Sequence, residues 1–73
     1  MPHIEIQVLE GVFSDAEKER ILLDVIDAFG KAAGGRFKEN TSAKILEIKS
    51  GSWANGDQVY HTEVGLAIKS DTP

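Results

Sequence analysis

The chain has 73 residues, a formal net charge of −4 and no cysteine. It therefore holds no disulfide and no thiolate zinc site, and the absence of a basic run argues against nucleic acid as a partner. No apolar run approaches the ~20 residues that span a bilayer, and no signal peptide is recognisable, so we expect one cytoplasmic domain over residues 1–73.

A chain this short buries too little surface to be stable by itself. Domains of this size hide only about 60% of their unfolded surface and usually rely on disulfides, a metal or partner subunits. His3 and His61 are not spaced as a ligand pair on one helix or strand, which argues against a structural metal. We therefore expect a homo-oligomer with no metal and no membrane partner.

The first two elements follow from side-chain periodicity and a cap. Residues 3–9 alternate strictly between polar and apolar side chains, which predicts a strand with one apolar face. Ser14 and Glu17 have the spacing of a capping box. The segment that follows carries one apolar stripe and ends at a glycine pair, which predicts a helix over residues 15–33.

A second strand is predicted over residues 41–49. Its apolar side chains fall on both sides, with Ala43 and Ile45 on one and Leu46 and Ile48 on the other. A strand with two apolar sides is typical of a sheet that is covered on both faces. One helix covers one face only, so we expect another subunit on the second.

Element lengths constrain how the two strands are connected. The predicted helix is about 28 Å long and the first strand about 23 Å, so the helix returns the chain to the edge where it began. This favours two parallel strands joined by a right-handed crossover. Pro2 and residues 40–44 are then expected at the same end of the sheet.

The remainder of the chain is less regular. Residues 51–57 have the composition of a turn-rich segment around one aromatic side chain. Beyond them, residues 59–64 have strand-like composition, whereas residues 62–69 fit a helical turn that Gly65 interrupts. Both interpretations stay open, and we expect a short C-terminal hairpin or tail.

Pro2 is the candidate catalytic residue. Methionine aminopeptidases usually remove Met1 when the next residue is as small as proline, and removal leaves a free secondary amine. Such an amine acts as a base or nucleophile near neutral pH when its surroundings favour the uncharged form. If Met1 is retained, the Pro2 nitrogen is an amide without basicity.

Four features in this order carry a resemblance to a known family. They are Pro2 at the start of the first strand, Val-Leu-Glu-Gly at 8–11, Ser-Asp-Ala-Glu-Lys at 14–18 and Glu-Ile-Lys-Ser-Gly-Ser-Trp at 47–53. With them the chain resembles the tautomerase superfamily, in its small group of 4-oxalocrotonate tautomerase-like proteins. The resemblance extends over residues 2–33 and 45–56.

The resemblance implies an α+β fold and an isomerase activity. The expected protomer is β-α-β, with parallel strands, and pairs into a four-stranded sheet; such dimers assemble into a hexamer as a trimer of dimers. The implied reaction is a keto–enol tautomerisation of a small enolic carboxylate, without cofactor or metal. An N-terminal proline moves the proton, and arginines hold the substrate carboxylate.

The resemblance carries over to single residues as follows. Pro2 matches the catalytic proline, Trp53 the aromatic residue of the pocket and Leu9 an apolar wall of that pocket. The first family arginine is absent, since Val12 and Phe13 stand at its turn, and the second falls near Ser42. From the expected topology we place Lys44 and Arg36 near Pro2 as substitute cations, with Lys38 as a further option.

The missing arginines leave a second hypothesis open. In it, the chain is a non-catalytic oligomer with the tautomerase fold that has lost the groups that clamp the substrate. Turnover of an enolic acid by a sample without Met1 separates the two hypotheses.

Overall fold

The computed structural model of the protein describes residues 1–71; the last two residues of the predicted domain, 72–73, lie outside the described residues. The described residues form four strands and two helices. In chain order these are β1 (His3–Leu9), α1 (Asp15–Ala33), β2 (Ser42–Ile48), β3 (Trp53–Asn55), β4 (Gln58–Tyr60) and α2 (Thr62–Ser70). The predicted strand 3–9 and helix 15–33 are confirmed, and β2 lies within one residue of its predicted bounds at each end.

Helix α1 begins at the predicted capping box. The Ser14 hydroxyl accepts a hydrogen bond from the Glu17 amide at 3.1 Å, and Glu17 Oε1 accepts one from the Ser14 amide at 2.8 Å. These bonds satisfy donors that every helix start leaves without partners. Gly34 follows the helix with φ of 85°, and its amide donates to the Gly30 carbonyl. Over the described residues, neither helix combines the length and apolar character that crossing a bilayer requires.

Strands β1 and β2 pair in parallel, as predicted, and the register runs from His3 opposite Ser42 to Leu9 opposite Ile48. The Ser42 amide donates to the Pro2 carbonyl at 3.1 Å, so Pro2 and the start of β2 lie at one end of the sheet. Helix α1 lies on the face that carries Glu47, because Lys18 of α1 contacts Glu47 at 3.0 Å. That face also carries the apolar alternate residues Ile4, Ile6, Ala43 and Ile45.

The C-terminal segment is more ordered than the sequence indicates. Strands β3 and β4 form an antiparallel hairpin with Trp53 opposite Tyr60, which confirms the hairpin alternative of the expected C-terminal hairpin or tail. Helix α2 then runs through Gly65, so the predicted interruption at that residue is wrong. A Cβ at Gly65 would lie 2.5 Å from Val12 Cγ2, so this glycine permits a close approach of α2 to the β1–α1 turn.

Little apolar surface is buried within one chain. Among residues 1–71, only Leu9 and Val12 are buried hydrophobic side chains. By contrast, Ile68 is 70% exposed and Leu23 62% exposed, and further large apolar side chains on the surface include Phe29, Phe37, Leu46, Trp53, Val59 and Leu66. Contact with other copies of the chain would bury this apolar surface and stabilise the folded state.

Candidate active site

The amino-terminal cleft surrounds the start of the chain. It has a volume of about 310 Å³ and is lined by Met1, Arg36, Phe37 and Asn40. The Asn40 side-chain amide donates to the Arg36 carbonyl at 2.9 Å, which fixes the loop between α1 and β2. Arg36 therefore lies beside the first residues, where the topology argument expects it. Phe37 adds an aromatic wall that the sequence analysis does not anticipate.

Lys44 lies on the other face of the sheet from α1, in a polar row of His3, Glu5, Ser42 and Lys44. Its ammonium is 3.4 Å from Glu5 Oε1, and His3 Nε2 is 3.5 Å from the same oxygen. His3 Nδ1 is 2.7 Å from the Ser42 hydroxyl. Because Glu5 faces Lys44, part of the lysine's positive charge is already compensated. Arg36 is the better placed of the two predicted cations.

The further option, Lys38, is engaged elsewhere. Its ammonium lies 3.0 Å from Asp27 Oδ1 on α1. The pKa of Asp27 is lowered, first by its hydrogen bond with Lys31 and then by that with Lys38. Lys38 therefore serves to hold the loop after α1 against the helix.

Leu9 and Trp53, the two predicted pocket walls, line one cavity at the carboxyl end of β1. This apolar cavity has a volume of about 330 Å³. Leu9 is buried and Trp53 is 38% exposed. The Trp53 ring meets the Tyr60 ring edge to face, with 6.1 Å between the centroids. Other apolar walls come from Val12, Phe13 and Ile68.

The cleft and the apolar cavity lie at opposite ends of β1. Leu9 lies seven positions after Pro2, and an extended strand of that length spans about 23 Å. Pro2 of one chain therefore does not reach the apolar cavity of the same chain. A site that combines Pro2 with Leu9 and Trp53 needs two chains.

Comparison with known proteins bears on the fold. No protein-family model matches the sequence, and no curated protein matches it significantly. A solved structure of the 4-oxalocrotonate tautomerase isozymes from Methylibium petroleiphilum is similar, with a TM-score of 0.70 and 26% identity. The match covers 80% of this chain and 90% of that one. The chain has the tautomerase fold. The resemblance to the tautomerase superfamily that the motifs indicate is thereby confirmed.

In this tautomerase fold, the β1–α1 turn carries no cation of its own. Val12, which stands at the turn, is buried with 6% exposure. An ammonium reaches the turn from α2 instead: Lys69 donates to the Val12 carbonyl at 2.9 Å and to Glu17 Oε1 at 2.6 Å. The same Nζ lies 5.5 Å from the centroid of the Phe13 ring.

Lys69 strongly affects the carboxyl group that it contacts. The pKa of Glu17 falls from 4.5 to about 2, first because Lys69 donates a hydrogen bond to it and next because the Ser14 amide does. No sequence motif marks Lys69 as a candidate. Its partner Val12 is 57 residues away in the chain, and only the packing of α2 brings the two together.

The described residues also bear on metal binding. Over residues 1–71, no three side chains of His, Asp or Glu come together as potential metal ligands.

Proposed function

We propose that the protein is a cofactor-independent keto–enol tautomerase in which Pro2 moves a proton within a small enolic carboxylate. The main support is the tautomerase fold shared with the 4-oxalocrotonate tautomerase structure, in a chain whose second residue is proline at the start of β1. A fold alone does not determine chemistry. The proposal therefore also draws on the arginine and the aromatic ring beside the amino terminus.

In the proposed reaction, removal of Met1 exposes the secondary amine of Pro2. The neutral nitrogen takes a proton from the enolic substrate and returns it to a carbon atom of the same molecule, giving the ketone. Substrate and product have the same atoms, so no further reactant is needed. Arg36 donates to the oxygen atom that changes between enol and ketone and stabilises the charge that develops on it. Apolar walls disfavour a protonated amine and keep the base ready.

The proposal includes a homo-oligomer, because the predicted base and the predicted apolar walls lie about 23 Å apart in one chain. Within the described residues, β1 pairs only with β2 and has a free edge. Antiparallel pairing of two chains along this edge would place Pro2 of one chain beside the Leu9–Trp53 cavity of the other. A hexamer as a trimer of such dimers follows from the resemblance. Light scattering should detect a species much larger than one chain, and a stable monomer would contradict this part.

Intact-mass measurement on protein purified from its native host tests the first requirement, since it reports whether Met1 is absent. The trimmed protein should convert phenylenolpyruvate to phenylpyruvate, followed by loss of the enol absorbance. Pro2→Ala should abolish most of this rate, because alanine offers a primary amine in a different position. Normal turnover by Pro2→Ala would remove proline from the mechanism.

The second candidate function is a non-catalytic oligomer of the same fold. It is favoured by the positions where the resemblance expects arginine: Val12 is buried, and the Ser42 hydroxyl is hydrogen-bonded to His3. Saturable turnover by trimmed protein would exclude this candidate. A cytoplasmic location stays a prediction of the sequence.

A further inference from the structure

A second, smaller cavity adjoins the apolar cavity and differs from it in charge. It has a volume of about 230 Å³ and is lined by Phe13, Glu17, Arg20, Ile21 and Lys69. Phe13 lines both cavities, so the two share a wall. We call the smaller one the basic cavity because it contains two cationic side chains and one carboxylate.

The charges of the basic cavity do not cancel. Glu17 compensates one positive charge through its contact with Lys69. Arg20 has no carboxylate oxygen within 4.0 Å among residues 1–71. An excess positive charge therefore faces a concave, partly apolar surface, in a chain with net charge −4.

Lys69 is held in place and keeps the capacity to bind a ligand. An ammonium group has three donors. Two of them go to the Val12 carbonyl and to Glu17. The Phe13 ring below the ammonium favours a cation at this position. One donor remains for an anion, and Arg20 adds a planar fork that suits a carboxylate.

We propose that Lys69 and Arg20 bind a carboxylate group of the substrate, whose hydrocarbon part lies over Phe13 towards the Leu9–Trp53 cavity. The ligand class, a small unsaturated carboxylate, rests on the proposed function. The positions of the two cations do not, because they come from the cavity alone. Lys69 thus has two roles, as an anchor of α2 and as a binding residue.

Cinnamate is a suitable probe, since it is a planar unsaturated carboxylate with no enol and does not tautomerise. Binding is followed by ¹⁵N NMR titration, and cinnamamide serves as the uncharged control. We expect cinnamate, but not cinnamamide, to shift the amides of Phe13, Glu17, Arg20 and Lys69. Equal shifts by both compounds, or no shift of these amides, would overturn the proposal.

The sharpest variant is Glu17→Gln, which removes the carboxylate that competes for Lys69 while keeping an acceptor for the Ser14 amide. The matched control is Glu19→Gln, an exposed residue of the same helix with the same change in net charge. Glu17→Gln should tighten cinnamate binding about threefold more than Glu19→Gln does. If Lys69 is only an anchor, the two variants bind cinnamate equally, and the proposal fails.

Removal of either cation should weaken the binding of cinnamate. Arg20→Gln and Lys69→Met should each weaken cinnamate binding about tenfold, and Lys69→Arg should restore most of it. Lys31→Met, at an exposed lysine elsewhere on α1, is the control and should change little. If Lys69→Met does not fold, Arg20→Gln and Glu17→Gln still decide the question, since neither removes a buried group.

Failure of this inference is distinguishable from failure of the proposed function. Cinnamate binding needs no free amine and is measured on protein with or without Met1. If the trimmed protein turns over phenylenolpyruvate and Arg20→Gln changes neither KM nor kcat, the basic cavity is not the carboxylate site although the function stands. If cinnamate binds as expected and no turnover occurs, the site stands and the catalytic proposal fails.

Discussion

The β1–α1–β2 unit and the β3–β4–α2 segment are held by different interactions. Seven register pairs join β1 to β2, and the capping box and apolar stripe define α1. The second segment is attached by a few polar contacts and one close approach. Thr62 donates to the Glu10 carbonyl, Lys69 donates to the β1–α1 turn, and Gly65 packs against Val12. The first unit is thus stabilised along its length, whereas the second depends on single positions.

The two segments also supply different parts of the proposed site. The first provides Pro2, Arg36 and the amino-terminal cleft, and the second provides Trp53 and Lys69. Loss of α2 docking should therefore impair ligand binding before it unfolds the chain. One glycine in each segment permits close packing. Substituting each of these two glycines in turn separates the two effects.

Gly30→Ala should have the largest effect on stability. A Cβ there would lie 2.6 Å from Lys38 Cβ and 2.7 Å from Lys38 Cα, so the backbone of the loop after α1 must move. Alanine in a helix gains about 1 kcal/mol over glycine. Overpacking against a backbone costs about 1–3 kcal/mol, and we expect the clash to prevail.

The expected outcome is a lower midpoint of urea unfolding for the whole chain, with a disturbed Arg36–Phe37 cleft. Ala28→Gly, at an exposed position of the same helix, measures the propensity contribution separately and should cost about 1 kcal/mol. An unchanged or raised midpoint for Gly30→Ala would show that the loop adapts without cost.

Gly65→Ala should have a smaller and more local effect. Its Cβ would meet Val12 Cγ2 at 2.5 Å, but the nearest atoms belong to a side chain, whereas those at Gly30 include backbone atoms. We expect a net loss of about 1 kcal/mol, confined to the docking of α2. Hydrogen exchange should accelerate over β4 and α2 and stay unchanged in β1 and β2. Uniform acceleration would mean that the two segments unfold as one.

The contrast between the segments explains how far sequence alone predicts this structure. The alternation in residues 3–9 and the capping box at Ser14 are local patterns, and the elements that they predict are confirmed. The predicted break at Gly65 is wrong, because this glycine allows α2 to pack closely against Val12 and does not form a turn. That contact depends on packing between residues 53 positions apart, and no local pattern encodes it.

The same limit applies to the candidate site. The resemblance selects Pro2, Leu9 and Trp53, and the topology argument selects Arg36; their roles stay predictions. Lys69 has no motif around it, and its place beside the β1–α1 turn follows only from how α2 docks. A single sequence does not reveal the site residues that only tertiary packing brings into place.

Acid should loosen α2 before it affects the rest of the chain. The pKa of Glu17 is lowered from 4.5 to about 2, chiefly by its hydrogen bond with Lys69. A carboxyl whose pKa is depressed on folding stabilises the folded state above its unfolded value, and this contribution is lost as pH falls through the folded value. The docking of α2 should therefore be stable above about pH 4.5 and weaken progressively towards about pH 2. Amide shifts of α2 residues at a series of pH values report the change.

Glu17→Gln isolates this contribution, because glutamine does not titrate and still caps α1. In this variant the α2 amides should lose most of their response between about pH 4.5 and about pH 2. Glu47, whose pKa is lowered by Lys18, titrates in the same direction but joins β2 to α1, so the response of β2 should persist. High salt should reduce the wild-type effect, since both partners are partly exposed. If α2 responds to acid equally in both proteins, the Lys69–Glu17 contact does not control its docking, and α2 is held instead by its packing at Gly65.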